Sequence, residues 1–431
     1  MICDNITVNE NGNLEFAHQD VTVLAKKYGT PLYLMDEERI RHNCRTYINA
    51  MRENFGDNFS VLYASKANSF KRIYNIIVEE GMFADVVSSG EIYTALKAGF
   101  PLKNAYFHCN NKTDSDIEFA IKNGMGHFVV DCREELDAID KTAGEHGICQ
   151  NLLLRLTPGI DTHTYEAVNT GKVDSKFGTA IETGQAEQMV EYALTLKNIK
   201  LCGFHCHIGS MVFDSDTFIR GSEIMLDFIR KMQDKFGYVT EQLDLGGGYG
   251  VRYLESDPHI DIADNIKQVA NFLKSKTDKL GIKLPKILME PGRSIVADAG
   301  MTIYTVGSVK EITGYKNYIS VDGGMSDNPR YALYESEYSV YVANKMTQIS
   351  NFKCDLVGRC CESGDIIQPN VLLPKAVRGD LVAVCTTGAY NYSMAMNYNR
   401  IPRPPIVMLN KGDSYIAVKR ESLEDIVSND I

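Results

Sequence analysis

Short apolar runs alternate with longer amphipathic stretches from about Pro31 to Glu290. The apolar runs are Leu32-Tyr33-Leu34, Val61 to Ala64, Phe83 to Val87, Ala105 to Phe107, Phe128 to Val130, Leu152 to Leu156, Leu201 to Phe204, Leu243 to Leu245 and Ile287 to Met289. Each has the length of a buried parallel strand. Between them the spacing predicts helices over Glu37 to Phe55, Asp114 to Asn123, Glu182 to Leu196, Thr217 to Phe236 and Ile262 to Leu280. Eight or nine such units over roughly 250 residues predict a (β/α)₈ barrel rather than an open sheet. After Gly300 the texture changes. Met301 to Ile312, Tyr318 to Asp322, Tyr338 to Lys345, Phe352 to Val357 and Asp380 to Cys385 read as strands punctuated by glycine and proline. They predict an antiparallel β-barrel or sandwich domain, which the β-like first thirty residues (Ile6, Val8, Leu14, Phe16) would join. The expected division is a barrel over 31–295 and a β domain made of 1–30 and 296–431.

Composition narrows the function classes. The chain has 431 residues and a formal net charge of −11. Such an acidic chain is a poor candidate for gripping nucleic acid or anionic lipid. No apolar run reaches the ~18 residues of a membrane helix. Met1 to Glu10 lacks the basic-then-apolar pattern of a secretory signal, so the expected location is the cytoplasm, with eleven reduced cysteines.

Chemically interesting residues follow the apolar runs directly, where active sites of barrels assemble. Lys66 follows Val61 to Ala64. A lysine at the end of a buried strand is suited to Schiff-base chemistry, the bland alternative being an amine that snorkels to solvent. Gly246-Gly247-Gly248 could bring backbone N–H groups against a phosphate, or serve only as a turn. Glu290 and Arg293 place an anion and a cation at one strand end, able to hold a protonated ring nitrogen and a phosphate or to form a structural pair. His205-Cys206-His207 invites a metal reading, but no third and fourth ligand stand out, and a ring stacked on a flat cofactor is the better one. Cys361 and Glu362 offer a thiol beside a carboxylate.

In this order, the motifs around Lys66, Asp85, His207, Gly246 to Gly248, Glu290, Arg330, Cys361 and Tyr390 resemble the fold type III, pyridoxal-phosphate-dependent basic amino acid decarboxylases. The resemblance implies pyridoxal 5′-phosphate as cofactor, no metal, and a homodimer with active sites at its interface. It implies Lys66 as the cofactor-bearing lysine, Asp85 as its acidic neighbour and His207 as the histidine stacked on the ring. Ser210, Gly246, Gly247, Gly248, Arg293 and Tyr390 would lie on the phosphate side, Arg293 and Tyr390 reaching substrate as well. Glu290 would keep the ring nitrogen protonated. Cys361 would be the acid donated by the partner subunit. The segment from Asp322 to Tyr334 resembles that of the diaminopimelate-acting members, with Arg330 and Tyr334 on the distal carboxylate and Glu362 on the distal ammonium. The implied reaction is decarboxylation of meso-2,6-diaminopimelate to L-lysine, the last step of lysine biosynthesis. The alternatives are another basic amino acid or carboxylated polyamine (ornithine, arginine, carboxynorspermidine), a non-catalytic pyridoxal-phosphate carrier, or a metal-dependent barrel hydrolase.

Overall fold

The computed structural model describes residues 1–160 and 175–431. Contacts divide them into two units: Asn43–Gly250 with Ile260–Gly292, and Met1–His42 with Val251–His259 and Arg293–Ile431. In the first unit eight parallel strands close into a barrel. They are β1 (Phe59–Ala64), β2 (Phe83–Val86), β3 (Ala105–Phe107), β4 (His127–Val130), β5 (Gln150–Thr157), β6 (Ile199–His205), β7 (Gln242–Asp244) and β8 (Lys286–Met289). Each pairs with the next, and β8 closes on β1 through Ile287 opposite Phe59. Leu62, Tyr106, Val129, Leu153, Cys202 and Leu288 come from six of these strands and pack into one cluster. Such a filled interior makes the barrel a core rather than a pore.

The barrel helices form where the sequence periodicity places them. Ile262–Leu280 buries Ile266, Val269, Ala270, Leu273 and Thr277, which share one helical face. The Asp261 side chain accepts the Asp264 N–H at its start, and Gly281, at φ +63°, ends it in a conformation that favours glycine.

The second unit is built on the long strand Gly300–Ile312, which pairs antiparallel with Lys316–Val321, Leu381–Cys385 and Leu32–Asp36. The sheet is mixed rather than wholly antiparallel. Leu32–Asp36 runs parallel to Ile406–Asn410, and Lys316–Val321 runs parallel to Phe352–Val357. Its core gathers Leu14, Phe16, Leu32, Leu34, Met301, Ile303, Ala383, Cys385, Val407 and Leu409.

Three segments lie outside the unit that the sequence predicts for them, the shortest being 293–295, which carries Arg293 into the β unit. Leu32–Asp36, expected in the barrel, belongs to the β unit. All five of its residues are buried and a helix follows, so it has the look of a barrel βα unit, and only its pairing partners differ. Val251–His259, just past the glycine run, also belongs to the β unit. No helix among the described residues is long and apolar enough to cross a membrane.

Candidate active site

The strand ends of the barrel converge on one pocket. Lys66 lies in the short turn Ser65–Ala67 directly after β1, and its Nζ donates to Asp85 Oδ2 at 2.5 Å. Asp85 comes from β2 and is wholly buried, a charge tolerable there because the lysine answers it. His108 follows β3. His205 ends β6, His207 lies two residues beyond it, and Glu290 follows β8. Lys66, His108, Cys109, Asn110, Arg155, His205, His207 and Glu290 line a cavity of about 320 Å³ together with Val87 and Phe177. The floor is a buried carboxylate between two imidazoles. His108 Nε2 lies 2.6 Å from Glu290 Oε1, and His205 Nε2 lies 3.3 Å from Glu290 Oε2. Burial alone would raise the Glu290 carboxyl, but His108 and then His205 override it and hold it well below the usual range. Burial pushes His205 down to about 3, so that ring is neutral. Asp244, at the end of β7, is pushed well above the carboxylate range by burial and by Glu290, so it keeps its proton.

The glycine run fits against this floor by backbone contact. A Cβ on Gly247 would stand 2.0 Å from the Glu290 carbonyl oxygen, and one on Gly248 would stand 2.2 Å from that of Gly209. Gly246, at φ +66°, would also meet the Cys206 carbonyl at 2.6 Å. The Gly247 N–H donates to His207 Nδ1 at 3.3 Å. That bond makes Nδ1 an acceptor, and burial, then Arg155 and Lys66, hold His207 neutral.

The β unit carries a second cluster, of two buried guanidiniums among phenol rings. Arg293 Nη1 donates to the Tyr253 hydroxyl at 2.7 Å, and its Cζ lies 4.7 Å from the Tyr390 ring centroid. Tyr390 holds this place at a left-handed φ of +61°, a conformation that costs a tyrosine free energy. Arg330 Cζ lies 5.4 Å from the Tyr253 ring and 5.8 Å from those of Tyr334 and Tyr390. Arg330 Nη2 donates to Ser336 Oγ at 3.0 Å. Arg330 is 6% exposed, and among the described residues no carboxylate pairs with it and its Nε has no partner. A buried cation left this way is poised for an incoming anion.

The structure therefore gathers the sequence candidates in groups. Lys66, Asp85, His207, Glu290 and the three glycines come together in the barrel unit. Ser210 lies there too, half-buried beyond His207. Arg293, Arg330, Tyr334 and Tyr390 come together in the β unit. Cys361 and Glu362 are exposed, in a loop fixed to the Arg330 segment by Asp365. That buried carboxylate accepts the Met325 N–H at 2.6 Å and the Cys360 N–H at 2.7 Å.

Sequence reasoning passed over His108, Arg155, Asp244 and Tyr253. The strand-end rule already applied to Lys66 would have found His108 and Asp244, and Arg155 is a charge inside an apolar run. Tyr253 carried no such signal. The metal reading takes a different form from His205 with His207. His108, His205 and Glu290 bring three ligand-type atoms within 4.8 Å of one another. The 2.6 Å approach of His108 Nε2 to Glu290 Oε1 is too close for two ligands of one ion, however. Two ligands on one tetrahedral zinc stand roughly 3.3 Å apart.

Comparison with known proteins finds relatives along nearly the whole chain. The pyridoxal-binding domain of the pyridoxal-dependent decarboxylases matches residues 39–297. A diaminopimelate decarboxylase of Bacillus methanolicus is 44% identical, with 96% of each chain covered. Another, of Bacillus subtilis (strain 168), is 42% identical over 98% of this chain and 96% of its own. The crystal structure of a diaminopimelate decarboxylase from M. jannaschii in complex with L-lysine superimposes with a TM-score of 0.90. It is 34% identical, and the match covers 99% of this chain and 98% of that one.

Proposed function

The chain belongs to the pyridoxal-dependent decarboxylases, and from that premise we propose that it removes CO₂ from meso-2,6-diaminopimelate to leave L-lysine. The single observation that carries the substrate choice is Arg330, buried and without a carboxylate among the described residues. Diaminopimelate brings a second carboxylate that satisfies it. Ornithine brings none and would leave the cation buried and unanswered.

The residues of the pocket fit pyridoxal 5′-phosphate. Lys66 supplies an amine for its aldehyde, and Glu290 an ionised carboxylate for its ring nitrogen. His207 supplies a neutral face, and the glycine run a surface on which a side chain would collide. When bound, this cofactor draws off the electron pair released as CO₂ departs. Asp85 holds the Lys66 ammonium at 2.5 Å while that lysine is free of the cofactor. Arg293 and Tyr390 serve the phosphate side and reach substrate. Arg330 and Tyr334 bind the distal carboxylate, and Glu362 binds the distal ammonium. Cys361 Sγ gives the substrate carbon the proton that replaces its carboxylate, then regains one from water. Cys361 and Glu362 are exposed in the single chain, which agrees with their delivery to a second subunit in a homodimer. The expected location is the cytoplasm.

The test is lysine and CO₂ release from meso-diaminopimelate, with and without added cofactor, beside an ornithine control. Cofactor-dependent turnover of diaminopimelate is expected, falling about 100-fold, or ~3 kcal/mol, in Arg330→Ala. Turnover of ornithine with silence on diaminopimelate would keep the cofactor pocket and discard the role of Arg330. Binding of the cofactor with no turnover of either would favour a carrier.

A further inference from the structure

Tyr253 has no part in the chemistry described so far, yet both buried guanidiniums of the β unit meet on it. It lies 5% exposed in Val251–His259, the segment that leaves the barrel unit just after the glycine run. Its backbone is held at both ends. The N–H donates to Asp257 Oδ2 at 2.8 Å, and the carbonyl accepts Ser339 Oγ at 2.8 Å and the Ser339 N–H at 3.1 Å. The ring is held edge-on by Tyr338, with centroids 5.4 Å apart and planes at 88°. A phenol fixed this firmly is a reference point for whatever touches it.

What touches it is two like charges, each in a different way. Arg293 donates to the hydroxyl at 2.7 Å, and Arg330 lies 5.4 Å from the ring centroid. Guanidiniums brought together in a buried site repel, and each needs an electron-rich neighbour to stay. We propose that Tyr253 is the positioning residue of both arginines: its ring sets Arg330 for the distal carboxylate, and its hydroxyl sets Arg293. The Arg330 half rests on the substrate reading above. The influence is mutual: burial would raise the Tyr253 hydroxyl, but Arg293 and Arg330 override it and bring it below its ordinary value. The excursion of Val251–His259 thereby acquires a purpose, since it delivers this one ring to the arginines.

The test separates ring from hydroxyl by binding, without turnover. L-Lysine retains the distal carboxylate, and cadaverine is the same diamine without it. Titration of the wild-type holoenzyme by calorimetry is expected to favour lysine over cadaverine. In Tyr253→Leu, lysine affinity should fall about tenfold while cadaverine affinity stays within about twofold. Tyr253→Phe, which keeps the ring, should hold lysine within about threefold of wild type and weaken pyridoxal phosphate by about fivefold. Should Y253L unfold, Y253M, a ringless side chain that fills gaps, carries the same comparison. Equal losses of lysine and cadaverine would mean general packing and overturn the proposal. So would a lysine loss in Y253F as large as in Y253L. A wild-type enzyme without preference for lysine would instead sink the reading of Arg330, and the ring half with it. The cofactor titration of Y253F would still judge the hydroxyl half.

Discussion

At the scale of single residues, Asp327 shows how far burial alone moves a group. It is 1% exposed, the Tyr304 hydroxyl donates to one carboxylate oxygen, and the Gly324 N–H donates to the other at 3.0 Å. Burial nevertheless dominates and pushes its carboxyl up to about 7 from 3.8. The sign for stability follows. Below about pH 4 both folded and unfolded chains hold this proton. Between about 4 and 7 the unfolded chain releases it and the folded chain keeps it, so stability falls as pH rises, by at most about 4 kcal/mol. Above that range the loss is constant. In Asp327→Asn this dependence is absent, so thermal midpoints measured from pH 5 to pH 8 should fall less steeply than in wild type. Parallel slopes would show that Asp327 ionises normally. Such burial was invisible in the sequence, where Asp327 is one acidic residue in a polar segment. Lys66, Glu290 and Arg330 were legible because each breaks a pattern or repeats a motif. Tyr253 does neither, and its importance comes from neighbours at positions 293 and 330 that only folding brings together.

At the scale of elements, strand ends were legible and strand partners were not. Periodicity locates an apolar run but says nothing of which edge it joins, which is why Leu32–Asp36 reads as barrel and folds as β unit. Gly246-Gly247-Gly248 was legible as a special backbone, with phosphate cradle and plain turn left open. The contacts give it a third task, close packing of two strand-end loops. Gly247 is the sharpest case, because a Cβ there would stand 2.0 Å from the Glu290 carbonyl oxygen. Backbone on both sides leaves nothing flexible to yield. Gly247→Ala should therefore displace Glu290 and lower stability by about 1–3 kcal/mol. Cofactor affinity should fall with it, as Glu290 leaves its place between His108 and His205. Thermal melts and titration with pyridoxal phosphate check both. An alanine variant that melts and binds as wild type does would show that the loop has slack the contacts deny.

At the scale of the whole molecule, the homodimer is an expectation that rests on family resemblance alone, since one sequence shows no interface. The proposal that Cys361 serves a partner subunit has a consequence that a self-sufficient chain lacks. Lys66→Ala removes the cofactor amine, and Cys361→Ala removes the acid, so each homodimer alone should be inactive or nearly so. In a mixed dimer, one site combines both lesions and the other has neither. With equal amounts and free exchange of subunits, half the dimers are mixed, and each holds one intact site. Activity should thus return to about a quarter of the wild-type value per site on mixing. If Cys361 instead served its own chain, every site would keep one lesion and mixing would restore nothing. Each chain alone and the mixture, assayed for lysine formation after incubation long enough for exchange, decide between the two. Light scattering on the same samples shows whether dimers form, so that a silent mixture of dimers counts against sharing rather than against assembly.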